Sequence, residues 1–318
     1  MKPTMDDVAR VAKVSRATVS RVLRGDVSVT SAKQRRVRNA IEELGYQPLK
    51  QFKGQLRVGL QLPSDLKAQA YYRGVAEAVL EEARRIGCSV STIGRDGSTN
   101  SLSGLICVGH SPQQKLGFPV VVVGCRSHAA GLSAVSADER RVYAELVSAL
   151  RERGHERIAF VSGVGEDPVL EERLRAFKLA VYAARHPVSQ LAFVQCEDFQ
   201  EGGETAVRKL LVSFQPTVVA AASDELADVV SRTAAELELI IPSDLAIIGC
   251  RLVSGSQKSP SADTDAASYI AVPVSSLGSW AVRILLGMAE GDNPAPLRAL
   301  VSCGIHWGSL ADKPQSEV

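Results

Sequence analysis

From Leu56 onward, short apolar runs alternate with stretches whose apolar residues recur every three or four positions, and that alternation leaves few folds open. LRVGLQL, CSVSTI, SLSGLICVG, PVVVVG, RIAFVSG, LAFVQ, TVVAAAS and DLAIIGC read as strands, most of them short apolar runs. Between and after them, helices are predicted at 71–86, 137–153, 169–184, 202–213, 224–239 and 274–290. Gly87 and Gly154 stand just past the ends of the first two. Strands alternating with helices mean parallel sheets covered on both sides. Ligands in such sheets sit beyond the carboxyl ends of the strands, here the loops beginning near Pro63, Gly124, Gly163, Ser223 and Gly249.

The segment before this alternation reads differently. Thr4 with Asp7 three positions on forms a capping box that opens a helix to about Ala12, its buried stripe being Val8, Val11 and Ala12. After a four-residue turn, Ser15 caps a second helix with Val19, Val22 and Leu23 inside and Arg16, Ala17, Ser20 and Arg21 outside. Thr30 caps a third that ends at Gly45 and buries Val37, Ile41 and Leu44, while Lys33, Arg35, Arg36 and Arg38 line its exposed side. Two short helices at an angle with a bracing third make a helix-turn-helix domain.

Charge supports this reading. Residues 1–57 carry 13 Lys+Arg against 5 Asp+Glu, whereas the remainder carries 24 against 30, so the near-neutral total conceals a basic head on an acidic body. Charge alone would fit a solvated bundle. A capped helix-turn-helix of this sign instead points to duplex DNA, bound with counterion release. No apolar run approaches the 18 or so residues of a membrane span, and MKPTMDD lacks the apolar stretch of a signal peptide, so a cytoplasmic protein is expected. Cys88, Cys107, Cys125, Cys196, Cys250 and Cys303 are spread singly, as reduced thiols would be. The five histidines share no metal-ligand spacing, and there is no G-x-S-x-G or P-loop; neither metal, cofactor nor enzymatic activity is expected.

TMDDVARVAKVSRATVSRVLRG followed by AIEELGYQP resembles the DNA-binding head of the lactose-repressor/galactose-repressor (LacI/GalR) family of transcription regulators. The resemblance implies that the start of the second helix enters the major groove, with Arg16, Ala17 and Arg21 reading bases and Ser15, Thr18 and Ser20 making phosphate or supporting contacts. Arg24, Lys33 and Arg36 are further candidates for the DNA surface. The chemistry fits, since an arginine reaches guanine O6 and N7 with two bonds and a methyl packs on the thymine methyl. RERGHERIAFVSG, ERLRAF, PTVVAAASDELA, IPSDLAIIG and LGSWAVRILLGMAEG are similar to the family's regulatory core, two doubly wound parallel-sheet subdomains of periplasmic-binding-protein type I. The implied organisation is a head at 1–47, a hinge at 48–56 and an effector-binding, dimerising core at 57–318. By the same resemblance Arg173, Ser223 and Asp224 bear on an effector cleft, although Asp224 could equally cap the helix after it.

The chain departs from the family in several places. Lys13 stands where the turn often has glycine, at a cost of about 1–2 kcal/mol if the position is left-handed. The family's glycine, aromatic, aspartate, aspartate strand end reads Gly249-Cys250-Arg251-Leu252, which puts a neutral sugar in doubt. Lys67-Ala68 replace the aromatic pair of the first core helix. With Arg173 and Arg251 both at the cleft, the expected effector is an anion such as a carboxylate or a phosphorylated or sulfated sugar. The link GRDGSTNSLS between two strands is too short for a crossover helix, so the second core helix is expected to be missing. After Tyr46-Gln47-Pro48 the hinge LKQFKGQLR is short, and two readings stay open: an apolar wedge from Leu49 or Phe52, or a basic tether held on phosphates through Lys50, Lys53 and Arg57.

Two functions fit these features. One is a homodimeric repressor-like regulator on a roughly palindromic operator, modulated by a small molecule; the other is an architectural DNA-binding protein whose core only dimerises. In either, Arg16→Ala and Arg21→Ala should each relax preference at one base pair by about 1–3 kcal/mol. Selection from randomised duplexes would show this as one degenerate position per variant.

Overall fold

The computed structural model describes residues 4–23, 29–44, 56–63, 70–94, 97–99, 101–112, 116–124, 132–163, 167–196, 201–254, 267–289 and 296–308. Arg24, the whole hinge with Lys50 and Lys53, and Cys125 lie outside them, as do Lys67 and Ala68. The chain divides into two compact units, a helical one formed by N-terminal residues and an α/β one formed by the bulk of the rest.

The helical unit holds α1 (Met5–Ala12), α2 (Arg16–Leu23) and α3 (Ser31–Leu44). Thr4 and Asp7 form the expected capping box: the Asp7 amide donates to the Thr4 hydroxyl, and the Thr4 amide and hydroxyl donate to Asp7 Oδ2 at 2.9 and 2.7 Å. Hydrogen bonds from Arg10 and then from Thr4 hold the Asp7 carboxyl well below the usual carboxylate range. Ser15 caps α2, its hydroxyl accepting from the Thr18 amide. Val8, Ala9, Ala12, Val19, Val37 and Ala40 close the core, with Val11, Val14, Val22, Ile41 and Leu44 packed around it. Helices this short owe their persistence to such packing.

Lys13 ends α1 in the left-handed region at φ 50°, ψ 51°. The Arg36 guanidinium reaches across from α3 to the free carbonyls there, bonding Ala12 O through Nε at 3.0 Å and Lys13 O through Nη2 at 2.6 Å. Arg36 was expected on the DNA surface. It is exposed, and its side chain also completes the C-terminal cap of α1, because those carbonyls have no partner inside the helix.

The α/β unit contains two six-stranded sheets. The first has the order β11-β5-β4-β3-β1-β2, with β1 (Arg57–Gln61), β2 (Ser89–Thr92), β3 (Gly104–Val108), β4 (Val120–Val123), β5 (Ser133–Ala137) and β11 (Arg298–Val301), all parallel. The second has the order β12-β10-β9-β8-β6-β7, with β6 (Ile158–Gly163), β7 (Leu191–Cys196), β8 (Val218–Ala221), β9 (Ala246–Leu252), β10 (Ser268–Val272) and β12 (Gly304–His306). Its β12 runs antiparallel to β10, an exception to the all-parallel expectation. The chain passes between sheets three times: after β5, after β10 and after β11.

Of the helices, α4 (Ala70–Ile86) follows β1, and α5 (Glu139–Glu152) and α6 (Pro168–Ala183) pack together beside the second sheet. Then come α7 (Glu201–Ser213) and α8 (Asp224–Glu236), while α9 (Val274–Ala289) returns to cover β3, β4 and β5. A Cβ on Gly278 would lie 2.5 Å from Ala78 Cβ and 2.7 Å from Val79 N, so this glycine is what lets α9 approach α4.

Between β2 and β3 the described residues contain no helix, as the short link required. Leu102 and Ile93 lie on β1 instead, where Gly59 has no side chain to obstruct them. They pack with Leu105, Cys107, Val120 and Val122 on that face of the sheet. Two apolar side chains thus take over part of a helix's covering role.

Lys13 gives this unit a measurable reserve. Lys13→Gly should raise its stability by about 1 kcal/mol, because glycine adopts the left-handed region without the Cβ clash. Chemical denaturation followed by a probe in the helical unit would read the gain.

Candidate nucleic-acid interface and effector cleft

In the helical unit, Ser15, Arg16, Ala17 and Arg21 are exposed and Thr18 is half-buried. Ala17 and Arg21 stand one turn apart on the outward side of α2, and Arg16 is exposed at its first position. Ser15 and Thr18 bond hydroxyl to hydroxyl at 2.9 Å, so both hydroxyls help to build the start of that helix. Arg16 Nη1 lies 3.4 Å from Asp6 Oδ2 on α1. Lys33 is exposed on α3. Ser20 falls on α2, but its side chain is outside the described residues.

The cleft of the α/β unit lies at strand ends from both sheets. Arg173 on α6 is 2% exposed. Its Nε is 3.3 Å from Glu139 Oε1 at the first turn of α5, and its Nη1 donates to Ala222 O, just past β8, at 2.5 Å. The guanidinium sits 5.7 Å above the Tyr71 ring. One donor and one acceptor of this pair, Arg173 Nη2 and Glu139 Oε2, have no partner among the described residues, and neither does the buried Tyr143 hydroxyl. Tyr71, Gly124, Ser136, Glu139, Val169 and Glu172 line the opening beside them.

Burial pushes the Glu139 carboxyl up, against the lowering pull of Arg173. Burial likewise raises the Tyr143 hydroxyl well above its ordinary value, and it pushes the Cys250 thiol up to about 12. The nearby Cys303 thiol is raised for the same reason. Neither cysteine is a reactive thiolate; both are buried and free.

The structure brings the four expected effector residues together around the ends of β8 and β9, yet commits each of them. Ser223 is the N-cap of α8, its hydroxyl accepting from Leu226 N at 3.3 Å. Asp224 does not cap that helix. Its Oδ2 is 3.4 Å from Arg251 Nε, and a Cβ on Gly249 would lie 2.9 Å from Asp224 Oδ1, so glycine there admits the carboxylate. Arg251 also stacks over the Tyr269 ring at 4.3 Å. Burial raises the Asp224 carboxyl, opposed by Arg251. Both arginines that suggested an anionic effector are therefore matched by carboxylates of the protein itself, which removes the excess positive charge that expectation needed.

Two features of the cleft were missed. Lys67-Ala68 had suggested a cleft without aromatic rings, but Tyr71 and Tyr72 supply them at the start of α4, their rings edge-on at 5.5 Å. Gly109 (φ 72°) and Gly124 (φ 81°) end β3 and β4, and a Cβ on either would fall within 2.4 to 2.7 Å of a tyrosine ring or hydroxyl atom. The Tyr72 hydroxyl donates to Asp167 Oδ1 at 2.9 Å, linking α4 to the N-cap of α6. The tyrosine doublet was visible in the sequence. Glu139 was hidden by β5, whose SAVSA gives no apolar run.

Residues 4–48 match the model of the bacterial regulatory proteins of the lacI family, and residues 147–309 match that of the periplasmic binding protein-like domain. The chain is 30% identical over 273 residues to catabolite control protein A of Priestia megaterium, covering 78% of this chain and 82% of that protein. This protein belongs to the LacI family. As a LacI-family member it is a DNA-binding transcriptional regulator and not an enzyme. Among solved structures, the lac repressor dimer bound to operator superposes with a TM-score of 0.68 at 20% identity, covering 98% of this chain and all of that one. The transcriptional regulator CelR in complex with cellobiose gives 0.65 at 24% identity, covering 95% and 98%. Both share the fold of a helical head and two parallel-sheet subdomains. Among the described residues, no helix is long and apolar enough to cross a membrane and no cluster of His, Cys, Asp and Glu could hold a metal.

Glu139 gives the LacI-type core a specific pH response. Its carboxyl is raised in the folded state, so its contribution to stability is fully present below the ordinary value of 4.5 and is lost as pH rises through the folded value. Urea unfolding of the core from pH 4.5 upward should therefore show a decline with pH in the wild type that is shallower in Glu139→Gln.

Proposed function

We propose that this protein is a cytoplasmic repressor that binds a two-fold operator as a homodimer and is released from it by an uncharged, polyhydroxylated effector. The head at 1–47 reads bases through Arg16, Ala17 and Arg21. Ser15, Thr18, Ser20, Arg24 and Lys33 support it or contact phosphates, and Lys50 and Lys53 tether the linker at 48–56 to the backbone. The core at 57–318 dimerises and holds the effector near Arg173, Glu139, Ser223, Asp224 and Arg251. Two-fold symmetry of the protein matched to two half-sites is the physical reason for a palindromic operator.

The observation that carries the effector class is the buried Arg173–Glu139 pair with one donor and one acceptor left over. Both atoms are buried in this structure; once the cleft opens, a hydroxyl group can accept from Nη2 and donate to Oε2, whereas a carboxylate or phosphate would satisfy the arginine and repel the glutamate. Tyr71 offers a ring face beside them. The resemblance in fold to a regulator holding cellobiose agrees with a sugar-like ligand.

A second reading rests on Tyr71 and Tyr72, which fill the space over Gly109 and Gly124 where a ligand would enter. On that reading the cleft is occupied by its own side chains and operator binding is effector-independent. Calorimetric titration with neutral sugars, nucleosides and their acidic derivatives separates the two. Binding of a neutral polyol with weakened operator affinity supports the first reading, with Glu139→Gln lowering that affinity about 10-fold or more. Tight binding of an acidic derivative alone overturns the effector class, and operator affinity unmoved across the panel favours the second.

A further inference from the structure

We infer that Asp6 is a positioning residue for base recognition: from the first turn of α1 its carboxylate orients the Arg16 guanidinium, and facing DNA it repels phosphates at every sequence. It thereby trades non-specific affinity for specificity. The inference rests on the proposed base-reading role of Arg16.

The first turn of α1 carries two acids with different duties. Asp7 is used within its own helix, one oxygen taken up by Thr4 and the other by Arg10 Nη2 at 2.8 Å. Asp6 reaches out of the helix, its Oδ2 meeting Arg16 Nη1 at 3.4 Å across ten residues of sequence. Both side chains are about two-thirds exposed, at 66% and 68%. So open an ion pair contributes little to the stability of the fold, and its use must be sought elsewhere.

Arg16 opens the helix whose outward side also holds Ala17 and Arg21. An arginine carries many rotamers, and only orientations that present its planar fork to O6 and N7 read guanine. A carboxylate on one nitrogen removes part of that freedom and leaves the other nitrogen donors for a base. The same carboxylate sits on an N-terminal segment, residues 1–57, whose 13 basic residues against 5 acidic ones draw it to DNA. A negative charge beside these residues opposes phosphate attraction whatever the sequence, and that loss is compensated only where Arg16 finds its base.

The test uses the intact protein and the duplex it selects from a randomised pool. Anisotropy titrations are run with that duplex, with its single-base-pair variants and with a scrambled duplex, for wild type, Asp6→Ala, Asp6→Asn and Arg16→Ala. Asp6→Ala should bind the scrambled duplex about 2- to 5-fold more tightly, having lost a charge that opposes phosphates. It should also lose about 3- to 10-fold of discrimination at the one base pair that Arg16→Ala relaxes. Asp6→Asn should gain the same non-specific affinity and keep part of the discrimination, since its amide oxygen still accepts from Arg16. If selected and scrambled affinities fall together in Asp6→Ala, the residue only stabilises α1 and the inference is overturned. If Arg16→Ala relaxes one position and Asp6→Ala relaxes none, the positioning role alone is wrong. Should Arg16→Ala change no base preference, the base-reading role of Arg16 fails and the inference with it.

Discussion

A buried guanidinium anchors the α/β unit. Arg173 brings together α6, the start of α5 through Glu139 and the end of β8 through the Ala222 carbonyl, all of it away from water. Removing one partner of such a pair leaves an uncompensated charge in the interior and typically costs about 3–5 kcal/mol. The elements around the cleft are consequently fixed by polar geometry as well as by apolar packing. Tyr72 and Asp167 add a second polar link between α4 and α6. Under the proposed function, an effector entering here would meet an organised but incompletely satisfied network, through which a small ligand acquires leverage over a large structure.

The helical unit is held on a different scale. It has a small core of valines and alanines, so end effects count: the capping box at Thr4, the Ser15 cap and the Arg36 fork on the α1 carbonyls. Each satisfies backbone groups that the helices cannot satisfy themselves. The left-handed Lys13 works against them. A head with modest local stability suits a domain that must settle on DNA, where phosphate contacts add their own free energy.

Local chemistry was legible in the sequence. The caps of α1 and α2, the strands with long apolar runs and the short β2–β3 link could all be read, because each is a statement about neighbours along the chain. The strands β5, β10, β11 and β12 could not, since SAVSA, SYIAV, RALV and GIH lack the apolar continuity of a buried strand. Among site residues, Arg173, Arg251, Ser223 and Asp224 were named, but Glu139 was not, nor was the pairing of Asp224 with Arg251. Glu139 is 34 positions from Arg173, and Asp224 is 27 from Arg251. Whether a charge is spent inside the fold depends on which distant segments meet, and a single sequence does not state that. The same reason explains Arg36, whose surface-like position hid a bond to carbonyls 23 and 24 residues earlier.

The three passes between the sheets have a consequence for the order in which the molecule can be made. The strand β11 pairs with β5 across more than 160 residues, and β12 closes the far edge of the other sheet. Neither sheet is complete until residues 298–306 have left the ribosome, whereas the helical unit needs only the first few dozen. During synthesis a DNA-reading head therefore precedes its own regulator by most of the chain's length. The long-range closure is also the kinetically slow part of folding. A nascent or truncated chain is in this respect a helix-turn-helix without a sensor, and any brake imposed by the core begins only when the last two strands are in place.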